Sequence, residues 1–149
     1  MEEIWKDVKN YEGLYQISNL GRLKSVERIY KNRKCKELIK KTSVANGYER
    51  IGLSKNGEIK YFSIHRLVAE AFIDNPKNLP CINHKDTNKR NNKVDNLEWC
   101  THKENNNYGN HYNKIMLKRV IKTMNKYFPE EKGIISILED LRIKMDRCW

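Results

Sequence analysis

The chain has 149 residues, 33% of them charged and 38% hydrophobic, with a formal net charge of +11. That length suits one domain or two small modules sharing a core, and the surplus of Lys and Arg points to a polyanionic partner. The absence of any run of about 18 apolar residues argues against a membrane span, and the polar start shows no targeting run, which predicts a soluble, cytoplasmic protein. Cys35, Cys81, Cys100 and Cys148 form no CxxC pair, so a structural zinc site is not expected. Cys81 and Cys100 read instead as small packing residues of a reducing compartment.

In chain order, Leu14–Ile17 and Arg22–Ser25 read as short strands around an Asn19-Leu20-Gly21 turn. From Arg22 to Lys41 nine basic residues face only Glu27 and Glu37. This stretch is either a solvated loop or a strip that grips phosphates through Arg22, Lys24, Arg33, Lys34 and Lys36. Tyr48–Leu53 and Ile59–Ile64 flank Asn56-Gly57, a hairpin signal because both turn residues tolerate positive φ. Ile51 and Leu53 can share a buried face with Phe62 and Ile64. A helix from His65 sets Val68, Ala71 and Phe72 on one stripe and ends at Asn75-Pro76. In its first turn, Arg66 can reach a phosphate or serve as a structural ion-pair partner. Further on, Leu117, Val120, Ile121, Met124 and Phe128 fall at helical spacing among Lys114, Lys118, Arg119, Lys122 and Lys126. Pro129-Glu130-Glu131 starts a second tail helix with Ile134, Leu138, Leu141 and Met145 on its apolar face. Charge is uneven along the chain: residues 1–64 hold 14 basic and 8 acidic groups, 65–111 hold 7 and 6, and 112–149 hold 9 and 5. A nearly neutral centre between basic flanks suits a centre that does chemistry and flanks that hold a polyanion.

The chemistry-bearing residues concentrate in CINHKDTNKRNNKVDNLEWCTHKEN, from Cys81 to Asn105. His84, with an ordinary pKa of about 6.5, can accept a proton near neutral pH. Asn83 and Asn105 can offer amide oxygens to a hard cation. Neighbours in a strand point to opposite faces, so Asn83 and His84 need a bend to serve one site, and Lys85-Asp86-Thr87-Asn88 can provide it. Asn96 can tie a loop together through backbone hydrogen bonds, and Leu97-Glu98-Trp99 reads as the strand that follows. A blander account competes: the twelve asparagines from Asn75 to Asn113 could be a solvated loop around a structural histidine.

Asn83-His84, Asn96 and Asn105 at this spacing resemble the HNH nuclease motif. His65–Phe72 is similar to the helix that precedes the site in the phage-type branch. Trp5–Val8 and Tyr11–Ser25 resemble the nuclease-associated modular motif of homing endonucleases. The resemblance covers residues 4–25 and about 60–108. It implies an α+β fold: a small antiparallel β region over 1–60, a ββα-metal (HNH) core over 61–111 and a basic C-terminal helical pair over 112–149. The activity implied is hydrolysis of a phosphodiester bond in double-stranded DNA by a homing-type endonuclease; because the chain holds one such constellation, a monomer nicking one strand per binding event is expected. His84 would be the general base and Asn96 the structural asparagine. One Mg²⁺ or Mn²⁺ would sit between Asn83, Asn105 and the scissile phosphate. His102 would contact phosphate, assist the leaving group, or simply begin a helix. Relatives carry Asp or His where Asn83 stands, and a neutral ligand attracts a cation less strongly. Gly109 occupies the place of a further metal-binding histidine, so a colicin-like site is not implied. Two alternatives stay open: a phage HNH nuclease that aids genome packaging, and a catalytically silent DNA-binding protein on the same fold. His84 favours an enzyme, since a binder needs no base there.

Overall fold

The computed structural model describes residues 2–30, 32–108 and 111–147; Gly109 and Cys148 lie outside the described residues, as do the side chains of Lys114 and Met145. The chain divides into two compact units, Met1–Cys100 and Thr101–Trp149. The first unit runs β1 (Trp5–Asp7), β2 (Tyr15–Ser18), β3 (Leu23–Ser25), β4 (Arg28–Tyr30), β5 (Arg33–Cys35), β6 (Leu38–Ile39), β7 (Ser43–Ala45), β8 (Tyr48–Lys55), β9 (Glu58–Ser63), α1 (Ile64–Phe72), β10 (Cys81–His84) and β11 (Leu97–Cys100). The second holds α2 (His102–Asn107), α3 (His111–Tyr127) and α4 (Lys132–Arg147).

Strands β1, β2, β3 and β6 form one sheet in that order, β7-β8-β9 a second, and β4-β5 and β10-β11 two hairpins. In β2, Tyr15 and Ile17 turn inward, as period-two alternation requires. The β2–β3 turn is held by Ser18, whose hydroxyl accepts from the Leu20 and Arg22 backbone N–H groups at 3.3 and 3.0 Å. Gly21 there has φ +82°. The β8–β9 hairpin turns on Asn56 and Gly57, with φ of 52° and 86°, the pair of positive values that matches the twist of the flanking strands. The hairpin is longer than the sequence pattern suggests, and Ile64 opens α1 instead of closing β9. Ile64 is still fully buried, so its place in the core is kept while its backbone changes element.

The Arg22–Lys41 stretch is not a loop. It forms β3 to β6, because Ile29, Leu38 and Ile39 interrupt the charges with strand-forming residues. In α1, Ile64, Leu67 and Val68 are buried and Ala71 half-buried, the i, i+3, i+4, i+7 pattern of an amphipathic helix. The helix stops at Phe72, before Asn75-Pro76. Asn75 then shapes the turn, its amide bonding both the N–H and the carbonyl of Leu79 at 2.8 and 3.0 Å.

One core spans the first unit. Val8, Tyr11, Tyr15, Ile17 and Leu23 pack with Ile51, Leu53, α1, Ile82 and Leu97. The N-terminal strands therefore share their apolar interior with the β10–β11 hairpin. In the second unit, α3 and α4 pack on each other. Among the described residues Ile121 and Ile135 are the buried ones there, whereas Ile134 and Leu141, expected on the apolar face of α4, are 49% and 47% exposed. Contact with α3 selects Ile135 and Leu138, a stripe rotated by about one residue from the sequence pattern. Among the described residues no helix is long and apolar enough to cross a membrane.

Gly21 gives this architecture a testable weak point. A Cβ built there would stand 2.8 Å from the Asn92 Cβ, in a left-handed conformation that alanine disfavours. Gly21→Ala is expected to lower stability by about 2 kcal/mol in urea denaturation. An unchanged midpoint would contradict the close approach.

Candidate active site

Strands β10 and β11 pair antiparallel, with Cys81 opposite Cys100, Asn83 opposite Glu98 and His84 opposite Leu97. The loop from 85 to 96 has one short 3-10 turn, Val94–Asn96, and satisfies its backbone partly through short turns and partly through side chains. Asn96 is 7% exposed and uses its whole amide. Its Oδ1 accepts the Asp86 N–H at 3.0 Å, while Nδ2 donates to Asp86 Oδ1 at 2.9 Å and to the Asn91 carbonyl at 2.8 Å. Its own carbonyl accepts the Lys85 N–H at 2.8 Å. Asp86 would be pushed up by desolvation, but hydrogen bonds from Asn91, Asn96 and the Asn88 N–H outweigh that and hold its pKa below the ordinary value.

His84 ends β10 and is 5% exposed. Its ring lies edge-on to His65, centroids 5.2 Å apart, and 6.1 Å from Tyr48, which also stacks on His65 at 5.1 Å. Nε2 is 3.3 Å from Asn92 Oδ1. Burial lowers the His84 pKa; the Asn92 hydrogen bond and the Asp86 charge oppose this without reversing it. A histidine so placed stays neutral at neutral pH, as a proton acceptor must. Asn83 is also buried, and its Nδ2 donates to Glu98 Oε1 at 2.8 Å. That bond leaves Asn83 Oδ1 as the atom able to meet a cation, with the Glu98 carboxylate beside it. Among the described residues no three His, Cys, Asp or Glu side chains cluster as a metal cage. A cation here would rest on amide oxygens, nearby negative charge and its substrate, which suits a hard ion that keeps several waters.

Asn83, His84 and Asn96 all lie buried in the first unit, each with its own partners. Asn105 lies on α2 in the second, an exposed helix opened by a capping box between Thr101 and Glu104. His102 is the first residue of that helix. The basic candidates are more engaged than the sequence suggests. Arg22 pairs with Glu3 and lies over Trp5; Lys24, its side chain 14% exposed, pairs with Glu37 at 2.9 Å and covers the same indole at 4.6 Å. Lys34 pairs with Glu27 at 2.9 Å, while Arg33 and Lys36 are exposed. Arg66 donates to the Pro80 carbonyl at 3.1 Å and approaches Glu70 at 3.8 Å. Sequence reasoning missed Asn92, Glu49, Tyr48 and His65, all of which surround His84 or its partner. The Asn91-Asn92 pair and the helix-opening histidine were the available signals, but nothing local ties them to His84.

His65 carries a pH prediction. Burial, then repulsion from His84 and Arg66, pushes its pKa down to about 4. The unfolded chain takes up that proton near the ordinary value of 6.5, so between 6.5 and 4 it binds more protons than the native state. Stability should therefore fall as pH drops through that window, by up to about 1.4 kcal/mol per pH unit. His65→Phe should reduce the slope in denaturation curves taken across it; an unchanged slope would contradict the neutral, buried state.

Comparison with known proteins falls on the same elements. An HNH endonuclease family model matches residues 63–107, and a NUMOD4 motif model matches residues 3–54. DNA endonuclease I-HmuI of Bacillus phage SP01 is 44% identical over 101 residues, covering 68% of this chain and 54% of that protein. The uncharacterized HNH endonuclease L245 of Acanthamoeba polyphaga mimivirus is 41% identical over 118 residues, covering 78% of this chain and 33% of its own. The chain thus spans about half the length of the first and a third of the second. A solved structure concerned with DNA binding and cleavage by the HNH homing endonuclease I-HmuI matches with a TM-score of 0.61 at 40% identity, over 84% of this chain and 68% of that one. Identity at this level across two thirds of a solved relative, on top of a histidine hairpin built around a tied loop, places the chain in the HNH endonuclease family.

Proposed function

We propose that the chain is a divalent-metal-dependent DNA endonuclease of the homing type that nicks one strand of double-stranded DNA. The observation that carries this reading is His84: a buried histidine kept neutral at the end of β10, next to an amide whose oxygen is left for a cation. His84 takes the proton of the attacking water. Asn83 would hold one Mg²⁺ or Mn²⁺ through its amide oxygen, with Asn105 as the second ligand that the motif implies. When bound, the ion neutralises charge on the phosphate and on the leaving oxygen. Asn96 holds the intervening loop in shape so that the base and the amide keep their places.

Residues 1–60 serve as the DNA-gripping module, 61–111 as the nuclease core and 112–149 as a basic helical tail. Arg33 and Lys34 on β5, and Lys36 just after it, grip phosphates, joined by Arg22, Arg66 and His102. The Lys34–Glu27 and Arg66–Glu70 pairs are solvent-exposed and cheap to exchange for phosphate. Lys24, largely covered and packed on Trp5, holds the sheet together instead. One protein molecule acts at a time, because the chain has one His-Asn-Asn constellation and His65, His102 and His111 lack the downstream asparagine pair.

His84→Ala is expected to slow nicking of supercoiled plasmid by about 10²–10⁴-fold while leaving duplex affinity in gel-shift titrations nearly intact. Cleavage at the wild-type rate would reject His84 as the base. In parallel, excess EDTA should abolish nicking and added Mg²⁺ or Mn²⁺ should restore it. Undiminished cleavage under EDTA rules out the metal.

A further inference from the structure

Asn92 has no part in the chemistry above, yet it is 3% exposed and sits between His84 and a carboxylate from another element. Its Nδ2 lies 3.2 Å from Glu49 Oε2 and 3.3 Å from the Arg90 carbonyl. Both partners are acceptors, so the nitrogen end of the amide must face them. The oxygen end then faces His84, 3.3 Å from Nε2. An amide oxygen only accepts, so the imidazole must donate. A neutral imidazole carries one proton, and placing it on Nε2 leaves the lone pair on Nδ1. Among the described residues none hydrogen-bonds to Nδ1.

The arrangement is braced from several sides. Glu49 Oε1 lies 3.9 Å from Arg90 Nε, so both carboxylate oxygens face loop residues. The Gly21 turn presses on Asn92 from below, and the Asn19 carbonyl accepts the Val94 N–H at 2.9 Å. Residues of β8 and of the β2–β3 turn thereby fix an amide next to the base.

We propose that Asn92, oriented by Glu49, is a positioning residue that holds His84 as the Nε2–H tautomer, so that Nδ1 receives the proton of the attacking water. The tautomer follows from hydrogen bonding alone; its use in proton transfer rests on the proposed nuclease reading. In that step water gives its proton to Nδ1 and its oxygen bonds to phosphorus. The bond to the leaving oxygen breaks, that oxygen takes a proton from solvent, and the imidazolium keeps its Nε2–H bond to Asn92.

The test reads the tautomer directly. Long-range ¹H–¹⁵N spectra of the full chain, taken with EDTA at about pH 8 so that imidazoles are neutral, report which ring nitrogen carries the proton. The His84 signal is assigned by its loss in His84→Gln. Wild-type protein should show the proton on Nε2. Asn92→Ala should give a mixture of tautomers and lower kcat about 10–100-fold with KM changed less than about twofold. The swapped pair Asn92→Asp with Glu49→Gln keeps an acceptor toward His84 and a donor behind it, and should restore the single tautomer and most of kcat. A proton on Nδ1 in the wild type overturns the proposal without any variant having to fold. So does an Asn92→Ala protein with one tautomer and full kcat. If the wild type shows the Nε2–H form but nicks no DNA, the assignment of Asn92 to tautomer control survives and the nuclease reading alone fails.

Discussion

The loop between β10 and β11 forms no strand ladder of its own; short backbone turns satisfy part of it, side chains must satisfy several of the peptide groups that remain, and the site depends on that. Buried N–H and carbonyl groups left unpaired cost about 1–3 kcal/mol each. Asn96 meets this demand with one residue: two donors and one acceptor in its amide, and its backbone carbonyl besides. Aspartate would have the acceptor and lose both donors; serine would not reach. Asp86 and Asn88 extend the scheme by accepting the N–H two residues on, at 2.8 and 3.1 Å. Thr87 closes the bend at φ 61°, a left-handed conformation that a β-branched residue adopts only under constraint. The loop is held in a strained shape because its hydrogen bonds over-determine it.

The same loop is anchored to the N-terminal strands. Asn19, 3% exposed, accepts the Ile4 N–H through its side chain and the Val94 N–H through its carbonyl, at 2.8 and 2.9 Å. One residue therefore joins β1, the β2–β3 turn and the 3-10 turn that delivers Asn96. Tyr15 bonds Ser54, and Leu23, Leu53 and Leu97 share a core. Removing the N-terminal module would strip the site loop of its support as well as stripping the chain of basic surface.

What was legible in the sequence was local. Asn56-Gly57 announces its hairpin because two adjacent residues tolerate the required φ, and α1 announces itself by a period of 3.6 within nine residues. His84, Asn96 and the strand after them are recognisable because the motif is compact. What was not legible is the partner of each side chain across distance. Glu49 and Asn92 are 43 positions apart, and no spacing rule joins them. The basic strip looked like a free cationic surface because Glu3, Glu27 and Glu37 are paired to it only once the sheet forms. The inner face of α4 was misjudged by about one residue for the same reason, since the packing of α3 decides which stripe is buried.

Asn83 shows how the residues around His84 constrain one another. A carboxylate in its place, next to His84, would draw a cation more strongly and also favour the imidazolium form, because an opposite charge within a few ångströms stabilises the charged state. Burial of His84 works in the other direction and keeps the ring neutral. With an amide at position 83, a carboxylate on the neighbouring strand, Glu98, is bonded to that amide at 2.8 Å. Negative charge stays close to the amide oxygen without standing directly beside the base. In the proposed metal site the cost would be a weaker hold on a cation in the absence of substrate, which a phosphate bearing its own charge would offset on binding.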